Sequence, residues 1–243
     1  MTIKINYSNK ASGKSSTNLV LFTEENFNIN GLKKHLSNAE FSYINDLLKN
    51  SDLKKNLFFF EVNSKKKIFL VSIKKNLETS DIESLGAEFH SYINYDKGSV
   101  YFINSDSISD KFENFLGYFL HGLKLKSYEF NIYKSKKDKK IILINVIGNK
   151  NKETTKKELR FKAIEEGTFF ARDLVSEPPN VLNPKEYTNR LIKLRKLGIK
   201  VTVYNESQMK KLGMHSLLGV GRGSINESFL VTLEWNGNKK DKK

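Results

Sequence analysis

The chain has 243 residues, 38% of them hydrophobic and 12% aromatic, which is too apolar for a disordered polypeptide and long enough for one or two domains. Cysteine is absent, which excludes disulfides, thiolate metal sites and cysteine nucleophiles, and the four histidines (His35, His90, His121, His215) lie too far apart for a local metal motif. The net charge is +15, but only Arg160, Arg172, Arg190, Arg195 and Arg222 are arginine, whereas phosphate and base recognition favours the guanidinium fork. Residues 1–159 carry 26 basic and 18 acidic side chains and residues 160–243 carry 16 and 9, so the charge is spread over both halves. The clusters Lys65–Lys67, Lys134–Lys140 and Lys239–Lys243 read as solvated turns and a ragged end.

No apolar run is long enough to cross a bilayer, and Met1–Tyr7 alternates polar and apolar residues without a secretory core, so a soluble, cytoplasmic protein with no membrane partner is expected. Ser37-Asn-Ala-Glu40 and Ser80-Asp-Ile-Glu83 are capping boxes. They predict helices with apolar stripes at Phe41, Ile44 and Leu48 and at Leu85, Phe89 and Tyr92. Phe58–Val62 and Lys67–Ile73 predict a hairpin, and Tyr128–Ile132 with Ile141–Ile147 predict a second pair. Between these pairs, strand Val100–Ile103 precedes a helix through Phe112, Phe115, Leu116, Phe119 and Leu123. This is α/β organisation with a mixed sheet over residues 1–150.

Residues 151–177 predict a connector helix with Ala163, Gly167, Phe170 and Leu174 on one face, stopped by Glu177-Pro178-Pro179 because neither proline has a donor N–H. Asn183-Pro184 starts another helix, with Tyr187, Leu191 and Leu194 as its apolar face and Gly198 as its stop. Strand Ile199–Tyr204, a short helix through Met209 and Leu212, and strand Phe229–Trp235 follow.

None of the polar constellations amounts to an active site. Gly219-Val-Gly221-Arg-Gly223-Ser224 fits no nucleotide loop and reads as a tight turn at positive φ. Glu165 and Glu166 point about 100° apart on a helix, and Asp173 with Glu177 reads as a solvated helix end. Ser176 and Ser224 lack a partnered histidine.

Ala171-Arg-Asp-Leu-Val-Ser-Glu-Pro-Pro-Asn180 followed by Asn183-Pro184 resembles a signature of the leucyl aminopeptidase family. So do Lys200–Tyr204, Met209, the run Leu212–Ser224 and Leu233-Glu-Trp235, in order and spacing. The resemblance covers residues 160–237, with Ser176 standing where the family commonly has asparagine and Asn226-Glu-Ser228 where a proline is usual. It implies a macro-like N-terminal α/β domain (1–150), a connector helix (151–177) and the incomplete start of an α/β zinc-peptidase-like catalytic domain (178–243). The implied activity is release of N-terminal residues from peptides by a hexameric enzyme. Two divalent metals, zinc, manganese or magnesium, would activate a water, with a lysine and an arginine stabilising the tetrahedral intermediate. The family's metal ligands lie in segments around a glycine-lysine-glycine turn, and no residue here matches one. No catalytic, cofactor-binding or metal-binding position is therefore assigned, and this chain alone is expected to bind no metal and to be inactive. Rival readings are a non-catalytic module that binds DNA through its basic surface, as some bacterial members of the family do, or one that binds a nucleotide or ADP-ribose through its first domain.

Overall fold

The computed structural model describes residues 2–8, 18–95, 100–108, 114–135, 140–148 and 152–237, with side chains for all of these except residue 2 and residues 152–157. Two compact units divide the chain, Met1–Phe169 and Phe170–Lys243.

The first unit is built on a six-stranded sheet. Its strands are β1 (Thr2–Ser8), β2 (Asn18–Glu24), β3 (Leu57–Asn63), β4 (Lys66–Ile73), β5 (Val100–Asn104) and β6 (Ile141–Ile147). Their spatial order is β1-β6-β5-β2-β4-β3, and every neighbouring pair is parallel except β3–β4, the expected hairpin. The mixed sheet read from the sequence is therefore present.

Helices cover both faces, so inner strands bury both sets of side chains. On β2, Val20 and Phe22 join one core with α2 (Thr79–Tyr95) and α3 (Phe115–Lys126), whereas Leu19 and Leu21 join the other with α1 (Asn38–Lys49). Double burial leaves no period of two in the sequence of β2, which is why no strand was predicted there.

Local chemistry sets the helix ends. Glu40 N donates to Ser37 Oγ (3.3 Å) and Ser37 N donates to Glu40 Oε2 (2.9 Å), the predicted capping box of α1. In α2 the cap lies two residues earlier than expected. Ser80 is inside the helix, and Asp81 Oδ2 accepts from Glu78 N (2.9 Å), because a shorter carboxylate in the first turn reaches that donor.

Two expectations for this unit are corrected. Tyr128–Ile132 is irregular and not a strand: the edge of β6 is taken by β1, paired in parallel from Thr2↔Ile141 to Ser8↔Ile147, and Tyr128 instead packs on Phe169 (5.3 Å between ring centroids). The connector, α4 (Lys152–Ser176), exposes Ala163 and Gly167. Its inward side carries Phe161, which meets Tyr118 and His121 at 5.2 and 5.1 Å, since aromatic rings bury far more area than alanine or glycine. Phe112 of the predicted third helix lies outside the described residues.

The lysine clusters are only partly solvated. Lys66 Nζ meets Glu40 at 2.6 Å with both side chains nearly buried, and Lys67 meets Glu61 at 2.9 Å. Lys140 Nζ donates to the carbonyls of Ile93 and Asn94 at the end of α2, while Lys136–Lys139 and Lys239–Lys243 lie outside the described residues.

The second unit holds the end of α4, α5 (Pro184–Ile192), a 3-10 turn Lys193–Leu197, β7 (Lys200–Tyr204), α6 (Glu206–Lys211), α7 (His215–Gly221) and β8 (Leu230–Glu234). Asn183 caps α5 as expected, accepting from Glu186 N (3.0 Å), and Gly198 ends the turn at φ 82°. Tyr187 is not part of the packed face: the buried positions of α5 are Thr188 and Leu191. The two strands pair antiparallel, Lys200↔Glu234 to Tyr204↔Leu230. Leu191, Val201 and Met209 are the buried apolar side chains of this unit among the described residues, and Val220, Ile225 and Trp235 stand exposed.

Candidate functional site

Regular pairing in the first unit breaks off where β2 and β5 end. These neighbours are parallel, but their register stops at Leu19↔Phe102 and Val20↔Ile103. Phe22 N, which would have continued the ladder, donates instead to Ser107 Oγ (3.0 Å), and that hydroxyl donates to Asn104 O (2.7 Å). Asn104 Oδ1 caps the same turn by accepting from Asp106 N (3.0 Å), and Asn104 Nδ2 meets His35 Nδ1 at 3.0 Å.

The strands part because their connections diverge. From β2 the chain leaves toward α1 on one face of the sheet, and from β5 toward α3 on the other. A crevice outside the carboxyl ends of parallel strands at such a switch point is the position where open α/β sheets take ligands. Here it encloses about 510 Å³. Its rim includes Asn26, which adopts φ 62° and is followed by Phe27 at φ 52°, two consecutive left-handed residues that are not glycine. Thr23, 4% exposed, lies in its wall with Oγ1 lacking a hydrogen-bond partner among the described residues.

In the second unit the residues noted from the sequence fall otherwise than expected. The Glu177 side chain is 3% exposed and meets Arg190 Nη2 at 2.9 Å, so it is no solvated helix end. Arg190 Nε also donates to Glu186 (3.1 Å); the two carboxylates, Glu177 first, hold the guanidinium above its ordinary value, and the hydrogen bond from Arg190 in turn holds the Glu186 carboxyl below its own. Gly219 and Gly221 lie within α7. Positive φ falls instead on Gly148, Gly198 and Gly213, because Leu218 N and Arg222 N still donate helically through the glycine-rich run. Ser176 is exposed, and Ser224 Oγ accepts from Asn226 N (3.0 Å), a turn contact.

The histidines remain separate. His121 Nδ1 meets Glu83 Oε1 at 2.9 Å, linking α3 to α2, a pair not foreseen because its members are 38 residues apart. Among the described residues no group of three or more His, Asp or Glu is placed to hold a metal ion. These residues therefore do not fit the two-metal centre that the resemblance implies.

His90 is buried, and burial first, then the charge of Lys126, holds its imidazole below the ordinary value of 6.5. A histidine whose folded value is depressed leaves stability intact above 6.5 and removes it as pH falls through the unfolded value, because the unfolded chain binds the proton more readily. Urea denaturation of the first unit should lose stability between about pH 7 and 5. His90→Gln should flatten that slope relative to wild type, and equal slopes would show that His90 does not contribute.

Residues 169–243 match the family profile described as "Cytosol aminopeptidase family, catalytic domain". The chain is 40% identical over 128 residues to a probable cytosol aminopeptidase of Agrobacterium fabrum, covering 50% of this chain and 26% of that protein. It is 39% identical over 150 residues to a probable cytosol aminopeptidase of Phytoplasma mali, covering 59% and 30%. Among solved structures, a tomato leucine aminopeptidase mutant superposes with a TM-score of 0.75 at 18% identity, over 96% of this chain and 50% of that one. The bottromycin maturation enzyme BotP in complex with Mn gives 0.66 at 14%, over 91% and 46%. These superpositions establish a shared fold. The chain thus spans about half of those solved structures, and its alignments cover under a third of the two curated relatives.

Proposed function

Because the chain belongs to the cytosol aminopeptidase family, we propose that it is the N-terminal portion of a metal-dependent leucyl aminopeptidase that removes N-terminal residues from peptides in the cytoplasm. The observation that carries this reading is the match of residues 169–243 to the family's catalytic domain, joined to a first unit whose sheet follows the same fold.

In this reading residues 1–150 form a macro-like domain, 151–177 a connector, and 178–243 the entrance to the catalytic domain of a hexameric enzyme. When bound, two divalent metals such as zinc, manganese or magnesium supply the activated water. In this reading their ligands would come from the part of the relatives that this chain does not span. What the present residues contribute is position: the Glu177–Arg190 pair fixes the turn at Pro178-Pro179 between α4 and α5.

The purified 243-residue chain, incubated with leucine p-nitroanilide and millimolar Mn²⁺, should release no product above buffer. A chimera carrying it on the remaining catalytic region of a relative should do so. Stoichiometric uptake of two cations and release of leucine by the 243-residue chain alone would overturn the reading, as would a folded but inactive chimera.

A further inference from the structure

We propose that the crevice at the carboxyl ends of β2, β4 and β5 binds a short zwitterionic peptide of two or three residues. The inference stands on the first unit alone and does not depend on the peptidase reading.

Charge decides the ligand class. Lys34, Lys74 and Lys75 line the crevice together with Glu24, Glu25 and Asp106. A phosphate there would meet as many carboxylates as ammonium groups, and the repulsion would offset the attraction. A molecule with one ammonium and one carboxylate end is favoured by both sets.

The remaining lining agrees. Asn26, Asn28 and Asn30 present carboxamides, which donate and accept as a peptide group requires, and Asn28 Oδ1 already fixes the loop by accepting from Asn30 N (3.1 Å). Thr23 supplies a buried hydroxyl without a partner among the described residues, a group whose burial costs free energy until a ligand pairs with it. Leu32, Ile73 and Ile108 give an apolar floor for a side chain. At about 510 Å³ the space is that of a small-ligand pocket and exceeds what one free amino acid fills.

The test uses the whole 243-residue chain and the tripeptide leucylglycylglycine. Titration followed by amide nitrogen-15 shifts should saturate in the millimolar range or below, with shifts confined to residues around Thr23–Gly31, Lys74–Lys75 and Asp106–Ile108. Acetylating the peptide's amino end or amidating its carboxyl end should each weaken binding about tenfold. Lys74→Gln with Lys75→Gln, both at exposed positions, should weaken it similarly while leaving the unfolding curve unchanged. Absence of saturation, equal binding of the blocked peptides, or shifts lying in the second unit would overturn the proposal. So would AMP or inorganic phosphate filling the crevice where the peptide does not. Because binding is read from shifts in the first unit, the result is independent of whether any peptide is cleaved.

Discussion

Gly86→Ala and Gly122→Ala should each cost the first unit about 3 kcal/mol or more, the top of the range for overpacking. These glycines face each other across α2 and α3, where the helices touch backbone to backbone. A Cβ built on Gly86 would overlap the carbonyl oxygen of Phe119 and lie 2.9 Å from Leu123 N, and one built on Gly122 would overlap the carbonyl oxygen of Glu83. Main-chain atoms inside a helix cannot rotate aside, so the helices must move apart. That would open the core in which Phe115 and Phe119 pack on Phe22 and Phe89 packs on Phe119. Alanine's better helix propensity returns only about 1 kcal/mol. Gly167→Ala is the control: nothing lies within 4 Å of its Cβ position on α4, so the same propensity should leave stability unchanged or slightly raised. Urea titrations followed by far-UV circular dichroism decide the matter, and a Gly86→Ala chain within about 1 kcal/mol of wild type would mean that α2 and α3 have room to spare.

What could be read from the sequence was whatever the chain writes locally. The Ser37 capping box, the stop before Pro178-Pro179 and the Asn183-Pro184 start each depend on neighbours within four residues, and all three stand in the structure. The family signature was legible for the same reason, since Ala171–Asn180 and Leu212–Ser224 are contiguous strings. Features made by distant residues were not. Strand β2 was missed because burial on both faces erases alternation. The crevice joins Thr23, Lys74 and Asp106, brought together only by parallel strand order. The two glycines of the α2–α3 contact did leave a signal, because glycine in the middle of a helix lowers its stability and needs a packing reason. Glu177 reads locally as part of a solvated helix end, yet its side chain is buried against a cation. Spacing placed Asp173 on its face, whereas Arg190, 13 residues on and beyond the proline turn, is the group it meets.

Arg190→Ala should destabilise the second unit by about 2–3 kcal/mol, below the full cost of breaking a buried ion pair because the guanidinium is 20% exposed. The loss weighs heavily there, since the apolar side chains buried in that unit among the described residues are Leu191, Val201 and Met209. Removing the guanidinium withdraws the cation from a carboxylate that is itself 3% exposed, and it cuts the link between the end of α4 and α5. Arg190→Lys should recover only part of the loss, because one ammonium cannot address Glu177 from Nη2 and Glu186 from Nε at once. The chain's single tryptophan, Trp235, lies in this unit and gives a fluorescence probe separate from the first. Wild type should already unfold at lower urea by Trp235 emission than by the circular dichroism of the larger unit, and Arg190→Ala should widen that gap. If the two probes shift together, Arg190 supports the whole chain and not the second unit. If neither shifts, the Glu177–Arg190 pair contributes nothing to stability, and the turn at Pro178-Pro179 is held by its own hydrogen bonds, from Val181 N and Leu182 N to Pro178 O.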